Sequence, residues 1–176
     1  MVAAVVLAAG AASRFGSPKQ RILLPAVLER LRDAPVDRVV VVAGAHELEA
    51  PVATVRCADW ARGPGASLRC GLAALPSEAR AAVVVLADGP DLQAAAVARV
   101  LDRWIETRAP RLAASYRGVR GHPLVLDRTA WDDVPDEGLR GHDVLLVPCD
   151  DLGEPGDVDY RTDLPERFRT TPDEPM

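Results

Sequence analysis

The sequence predicts a doubly wound α/β domain, in which helices cover both faces of a mostly parallel sheet. Short apolar runs rich in Val recur at residues 2–8, 39–43, 83–87 and 144–147, bounded by Gly, Pro or Asp. Runs without polar alternation are typical of strands that are buried on both faces. Helical patterns lie between these runs, and this alternation favours an α/β architecture. We expect one domain over residues 1–169 and a disordered polar tail at 170–176.

Weaker strands and three helices complete the predicted order of elements. The weaker strands are expected at residues 54–56, 112–116 and 123–126. The clearest helix spans Gln93–Thr107, where apolar residues recur at three- and four-residue spacing and Asp91 is placed to cap the N-terminus. A shorter apolar stripe follows Ser67 over residues 68–75. A further helix is expected to start at Pro25 and run to about residue 33, because proline suits the first turn of a helix.

The composition excludes several classes of protein. A net charge of −5 argues against a binder of duplex nucleic acid, which carries a basic surface. No apolar run approaches the ~20 residues of a membrane span, and the N-terminus lacks the basic segment of a secretory signal. We therefore expect a cytoplasmic protein without a membrane partner. Cys57, Cys70 and Cys149 are odd in number and lack metal or disulfide spacing, so we expect buried, reduced thiols.

The segment after the first strand carries an unusual lysine. Of the 21 Lys and Arg residues, 20 are Arg and one is Lys19. Lys19 ends the segment GAASRFGSPK, whose small side chains let backbone N–H groups approach an anion. Arg14 adds a planar set of donors, and Lys19 adds a compact charge. The segment fits neither known glycine-rich phosphate motif. The alternative is a Gly/Ala turn that carries two solvent-exposed cations.

Residues 7–19, LAAGAASRFGSPK, resemble the motif L-A-A-G-x-x-x-R-F-G-x-P-K of the MobA-like nucleotidyltransferases. This family includes the molybdenum cofactor cytidylyltransferases. The resemblance implies a Rossmann-like, three-layer α/β/α fold with a mostly parallel mixed sheet, of the nucleotide-diphospho-sugar transferase type. It also implies that the loop wraps a triphosphate, with Arg14 and Lys19 on the phosphates and Lys19 at the reacting centre. Ala12 stands where the family usually has Ser, and Ser13 is the nearest substitute.

Two further segments resemble the family's nucleotide and metal motifs. Residues 60–72 resemble W-x-x-G-x-x-x-S-L-x-x-G-L, which implies that Ser67 lies near the base and ribose; the alternative is a simple helix cap. Residues 86–92 resemble L-x-D-x-P-x-L, which implies that Asp88 is a Mg²⁺ ligand. A carboxylate at the carboxyl end of a buried strand suits such a site. The alternative is a turn Asp before proline, and Gly89 replaces the family's usual Met.

Later segments resemble the acceptor pocket and the second metal ligand. Residues 121–123 resemble G-H-P, and residues 136–140 resemble part of G-D-x-G-x-R with Pro135 in place of the first Gly. We therefore expect acceptor contacts at His122, Asp136 and Arg140, the alternative being ordinary surface residues. Residues 157–164 resemble D-I-D-T-P-E-D-L, which implies that Asp159 is the second metal ligand with Asp157 in reserve. The alternative is a solvated acidic loop.

Taken together, the resemblance implies Mg²⁺-dependent nucleotidyl transfer with release of pyrophosphate. At Ala9 the sequence resembles the cytidylyl members of the family, so CTP is the expected nucleotide. The resemblance also implies a molybdopterin-type acceptor and a molybdoenzyme as protein partner. Alternatives are a different phosphorylated acceptor, or a catalytically idle relative that serves a partner protein. The short connection at residues 20–33 departs from the family. The expected catalytic residues are Lys19, Arg14 and Asp88. The expected nucleotide-binding residues are Leu7, Ala8, Ala9, Gly10, Ala11, Ser13, Arg14, Lys19, Ser67 and Asp88.

Overall fold

Parallel strands dominate the structure, a computed structural model that describes residues 1–169. Seven strands form one sheet in the order β3-β2-β1-β4-β6-β5-β7, and β6 runs antiparallel to both of its neighbours. The other pairings are parallel, so the predicted mostly parallel mixed sheet is confirmed. The strands are β1 (Val2–Ala8), β2 (Arg38–Ala43), β3 (Ala53–Arg56), β4 (Ala81–Leu86), β5 (Arg111–Tyr116), β6 (Val119–Asp127) and β7 (Leu145–Pro148).

Within residues 1–169, three α-helices cover the two faces of this sheet. They are α1 (Gln20–Arg32), α2 (Pro64–Ala73) and α3 (Ala94–Thr107). One core cluster joins α1 and α3 to one face of the sheet, and a second joins α2 to the other. Strand β1 supplies alternate residues to the two clusters: Ala4 and Val6 to the first, Ala3 and Val5 to the second. The predicted three-layer arrangement is therefore confirmed.

Close packing of α2 on the sheet requires a glycine. A Cβ atom at Gly71 would lie 2.4 Å from a methyl carbon of Val5 and 2.8 Å from one of Val42. Only a residue without a side chain lets the helix approach β1 and β2 this closely. This close approach fixes α2, and the residues just before it, against β1, the strand that leads into the candidate site.

Two helix starts and one helix cap differ from the prediction. Helix α2 begins at Pro64, before the Ser67 that was expected to precede it. The helix expected to start at Pro25 begins at Gln20, and Pro25 lies inside it. The amides of Ile22 and Leu23 already donate to the carbonyl of Lys19, so the turn after Pro18 nucleates α1 before Pro25 is reached. Asp91 does not cap α3, because Gln93 occupies the N-cap position and the Asp91 carboxylate pairs with Arg167 instead.

The expectation of buried, reduced thiols was wrong for Cys57 and Cys70 and is confirmed for Cys149. Cys57 and Cys70 form a disulfide with a Cα–Cα distance of 5.8 Å, and Cys149 is free and buried. Cys57 follows β3 and Cys70 lies in α2, so their contact depends on tertiary packing that no cysteine spacing encodes. Among residues 1–169, no helix is long and apolar enough to cross a bilayer. The tail prediction for residues 170–176 lies outside the described residues.

We expect the Cys57–Cys70 disulfide to stabilise the fold. The cysteines are 13 residues apart, and closing a loop of this length removes about 3 kcal/mol of conformational entropy from the unfolded chain. Urea unfolding in the presence of dithiothreitol should therefore give a free energy of unfolding about 2–4 kcal/mol lower than without it. The Cys57→Ser/Cys70→Ser double variant should show no effect of dithiothreitol. Equal stability of reduced and oxidised wild type, with reduction verified by mass, would contradict this role.

Candidate active site

The candidate site lies where the strand order of the sheet reverses. Strand β1 pairs with β2 on one side and with β4 on the other, so the connections after β1 and β4 diverge. Open parallel sheets bind ligands outside the carboxyl ends of their strands at such a switch point. Residues 9–19, named here the β1 loop, follow β1 at this edge, and Asp88 follows β4. The topology therefore brings the two main predicted motifs together.

The C-terminal segment, residues 149–169, fixes the β1 loop from one side. Phe15 of the loop is buried in a small cluster with Leu23, Val158 and Leu164, separate from the two main cores. The Arg161 guanidinium donates to the Phe15 carbonyl at 3.2 Å and lies over the Phe15 ring, 5.1 Å from its centroid. The loop and the C-terminal segment therefore pack as one unit.

Lys19 lies at the centre of the site and is 8% exposed. Its Nζ donates to the carbonyl of Val158 at 2.5 Å and lies 3.0 Å from Asp88 Oδ2 and 3.5 Å from Asp159 Oδ1. The alternative of two solvent-exposed cations is therefore wrong for Lys19. It holds for the Arg14 side chain, which is 66% exposed and lies 3.5 Å from Asp159 Oδ2.

Three carboxylates converge beside Lys19. Asp88, Asp157 and Asp159 each offer an oxygen, and these oxygens lie within 4.8 Å of one another. The amide of Val158 donates to the Asp88 carbonyl at 3.2 Å, which ties the segment to the end of β4. Loss of surrounding water, followed by repulsion from the charges of Asp88 and Asp159, raises the pKa of Asp157 above its usual range. The cluster therefore holds more negative charge than Lys19 and Arg14 balance.

This donor set fits a divalent metal ion. Asp88 Oδ1 is buried, and no described residue forms a hydrogen bond with it. A buried carboxylate oxygen without a partner is costly, and a cation beside it would remove that cost. Carboxylate oxygens are the ligands that Mg²⁺ and Mn²⁺ prefer. The residues present therefore match the chemistry of a hard cation, and either Asp157 or Asp159 lies close enough to join Asp88.

A cavity of about 360 Å³ opens over this cluster. Its lining contains most of the predicted nucleotide-binding residues: Leu7, Ala8, Gly10, Ser13, Arg14, Lys19 and Asp88, together with Asp159. Ala9, Ala11 and Ser67 are not among its lining residues. A larger groove of about 980 Å³ lies between α1 and residues 47–56, and it shares only Gln20 with the smaller cavity. We assign the chemistry to the smaller cavity because the converging charges line it.

Ser67 and Asp136 are engaged within the fold. Ser67 does not cap a helix, because α2 starts at Pro64 and buries Ser67 inside its second turn. The Asp136 carboxylate pairs with both Arg62 and Arg69. Hydrogen bonds from Arg69 and then from Arg62 hold the pKa of Asp136 below its usual range. This network ties the loop at residues 134–138 to the start of α2.

The other predicted acceptor residues also lie outside the cavity lining. His122 precedes a cis proline in β6, and burial followed by the charge of Arg120 lowers its pKa to about 4. His122 is therefore neutral at physiological pH. Arg140 is exposed. The structure brings the predicted phosphate and metal residues together, whereas His122, Asp136 and Arg140 do not line the same cavity.

Sequence reasoning missed three residues that contact the β1 loop. Gln20 donates to the Gly10 carbonyl, His46 contacts the Ala11 carbonyl, and Arg161 contacts the Phe15 carbonyl. Gln20 follows Lys19 directly, and this adjacency was a usable indication. His46 and Arg161 act on backbone carbonyls from distant parts of the chain, so no local pattern marks them.

The family match and the fold identify the chain as a nucleotidyltransferase with the nucleotide-diphospho-sugar transferase fold. The family model "MobA-like NTP transferase domain" matches residues 4–145, and the chain belongs to this family. No curated protein sequence gives a significant match. The matched range includes Lys19 and Asp88 but ends before the C-terminal segment that carries Asp157 and Asp159.

Solved structures support the same fold assignment. An Rv0371c homolog from Mycobacterium sp. strain JC1 is 27% identical, with a TM-score of 0.76 over 92% of both chains. Rv0371c from Mycobacterium tuberculosis H37Rv is 26% identical, with a TM-score of 0.75 over 92% of this chain and 94% of that one. Its manganese complex gives 24% identity and a TM-score of 0.65 over 84% and 88%.

A more distant neighbour is described with a bound nucleotide. CMP:2-keto-3-deoxy-manno-octonic acid synthetase complexed with CTP is 12% identical, with a TM-score of 0.66 over 92% of this chain and 94% of that one. At this identity the likeness shows the fold alone.

Proposed function

We propose that this nucleotidyltransferase transfers CMP from CTP to a phosphorylated small molecule and depends on a divalent metal ion. The observation that carries the proposal is the buried Lys19 ammonium, which lies between Asp88 and Asp159 beneath the β1 loop. At Ala9 the sequence resembles the cytidylyl members of the family, which supports CTP as the nucleotide. The CTP complex of a structural neighbour is compatible with this assignment. We further propose a molybdopterin-type acceptor, a molybdoenzyme as protein partner and a cytoplasmic location.

In the proposed reaction, an ionised oxygen of the acceptor phosphate attacks the α-phosphorus of CTP in line. A new P–O bond forms as the bond to the bridging oxygen breaks, and pyrophosphate leaves with the electron pair of that bond. An acceptor that is already ionised needs no general base, which agrees with the absence of a His–carboxylate pair around this cavity among the described lining residues. The chain therefore contributes mainly by positioning the reactants and by neutralising charge.

The β1 loop and its cations provide this neutralisation. Arg14 is exposed at the cavity and is free to turn its planar group toward the outer phosphates. Lys19 is held by Asp88 and Asp159 and provides a fixed point charge at the reacting centre. Asp88 and Asp159 are the proposed metal ligands, with Asp157 in reserve, and a bound Mg²⁺ or Mn²⁺ would polarise the phosphate oxygens. The manganese complex of Rv0371c supports this class of ion.

Pyrophosphate release tests the substrate assignment directly. CTP, ATP, GTP and UTP should each be tested with Mg²⁺ or Mn²⁺, with and without molybdopterin. We expect release with CTP and molybdopterin, and loss of release when the metal is chelated. Release with CTP and a different phosphorylated acceptor would contradict the molybdopterin assignment alone. No release under any condition would contradict the enzymatic proposal and favour the binding-protein alternative.

Removal of either central charge should abolish most activity. We expect Asp88→Ala and Lys19→Ala each to lower kcat by at least ~100-fold, the usual loss when a group that stabilises transition-state charge is removed. Lys19→Arg should also be impaired, because a planar guanidinium does not replace a compact ammonium among these three acceptors. Asp151→Ala, which removes a carboxylate paired with Arg99 outside the cavity lining, is the matched control. Wild-type rates in folded Lys19→Arg would contradict a specific role for the lysine.

Direct metal binding distinguishes the two candidate second ligands. Asp159 is half-buried and faces Lys19, whereas Asp157 is exposed. In a Mn²⁺ titration followed by electron paramagnetic resonance, we therefore expect Asp159→Asn to weaken binding at least tenfold, in the range seen when a metal site is disturbed (about 10–100-fold). Asp157→Asn should have a smaller effect, and Asp151→Asn, whose carboxylate pairs with Arg99 outside the cavity lining, serves as a control. A larger loss in Asp157→Asn than in Asp159→Asn would reverse the assignment.

A further inference from the structure

Four successive carbonyl groups at the start of the β1 loop are all held by hydrogen bonds from the protein. Ala9 O accepts from the amide of Ala45 at 3.0 Å, and Gly10 O accepts from Gln20 Nε2 at 2.8 Å. Ala11 O lies 2.8 Å from His46 Nε2, and since a carbonyl only accepts, this ring nitrogen donates. Ala12 O accepts from the amides of residues 15 and 16, each at 3.1 Å. Two of these four carbonyls therefore depend on a side chain.

Holding the carbonyls also fixes the direction of the following amides. In a trans peptide the C=O of one residue and the N–H of the next lie on opposite sides of the C–N bond. The amides of residues 11, 12 and 13 therefore point away from Gln20, His46 and the Ala12 turn. None of these amides donates a hydrogen bond within the part of the chain that the structure describes. Ala12 adopts the left-handed conformation, with φ of 52°, a feature of backbone concavities that bind anions.

We infer that Gln20 and His46 are positioning residues that keep the amides of residues 11–13 directed at the phosphates of the substrate. Gly10, Ala12 and Ser13 line the cavity beside Lys19, whereas Ala11 does not. The amides of residues 12 and 13 therefore lie where a triphosphate would lie, and the amide of residue 11 lies in the same stretch of backbone, between two lining residues. Without the hydrogen bond from Gln20 or His46, the peptide group is free to rotate and to present its carbonyl oxygen to the phosphates in place of the N–H. The inference rests on the proposed function, and it assigns to two side chains outside the β1 loop the task of orienting its backbone.

The surroundings of Gln20 support a role beyond packing. Gln20 is 4% exposed, and its Oε1 is buried without a hydrogen-bond partner among the described residues. The side chain cannot be turned around, because its oxygen would then face the Gly10 carbonyl oxygen. An apolar residue at position 20 would avoid the unpaired Oε1 atom, but it would also leave the Gly10 carbonyl without its hydrogen-bond donor. The donor at Nε2 is therefore the useful feature of Gln20 at this position.

Four variants test the inference against a purely structural role. Gln20→Met keeps a similar length, lacks the donor and adds no charge to the cavity that Gln20 lines, and His46→Leu removes the ring nitrogen. His46→Gln retains an N–H donor of similar reach. Gln93→Met is the matched control, because Gln93 Nε2 makes the same kind of bond, to the Asp91 carbonyl at 2.8 Å, outside the β1 loop. The readouts are KM and kcat for CTP, the Kd of inorganic pyrophosphate by calorimetry, and the melting temperature.

We expect Gln20→Met and His46→Leu to raise both the KM for CTP and the Kd of pyrophosphate by about 5-fold or more, the effect of one lost hydrogen bond. His46→Gln should stay within about 2-fold of wild type, and Gln93→Met should leave both constants unchanged. Wild-type constants in folded Gln20→Met and His46→Leu would overturn the inference, as would equal losses in His46→Gln and His46→Leu.

The pyrophosphate measurement separates this inference from the proposed function. If wild type binds pyrophosphate but uses no triphosphate, the proposed reaction fails, whereas weaker pyrophosphate binding in the two variants would still support the positioning role. If wild type neither binds pyrophosphate nor uses a triphosphate, both are overturned.

Discussion

The burial of the Lys19 ammonium group determines how the candidate site is arranged. Lys19 ends the β1 loop and is the residue just before α1, yet its Nζ is held by Asp88 after β4 and by residues 158 and 159 of the C-terminal segment. Removing a lysine charge from water is expensive, and the cost is offset only when several acceptors surround it. Three parts of the chain that are distant in sequence must therefore meet at one atom. The shape of the cavity follows from this requirement.

The same constraint explains why a lysine persists in a chain that otherwise uses arginine. Several of the other long cations pair with carboxylates at the surface, and the planar group of Arg99 forms two parallel bonds with the two carboxylate oxygens of Asp151. At residue 19 the acceptors surround a small volume from several directions, so a compact and rotatable head group fits them better. The choice of cation therefore reflects the geometry of its acceptors.

The predictable parts of the fold are those determined by local patterns. Uninterrupted Val-rich runs gave the central strands, and the apolar stripe of α3 gave a helix within one residue of its observed bounds. The predicted start of α1 at Pro25 was wrong because the turn before a helix, as well as residue preference, decides where the helix starts. The carbonyls of Pro18 and Lys19 already accept the first helical hydrogen bonds of α1. The Cys57–Cys70 contact exists only after α2 packs beside β3, so residue counting could not find it.

Within the site, the short motifs predicted Lys19 and Asp88 as neighbours, because both follow parallel strands. Gln20 and His46 act on backbone carbonyls, which every residue possesses, and so leave no pattern in the sequence.

The location of the C-terminal segment has a consequence for how the site comes into being. The chain leaves the sheet at β7, an edge strand, and returns to the middle of the sheet to deliver Asp157 and Asp159. During synthesis, the β1 loop, Lys19 and Asp88 emerge long before these two carboxylates. All seven strands precede two of the three members of the acidic cluster along the chain. Competence to hold a metal ion therefore arises only after all seven strands of the scaffold have been synthesised.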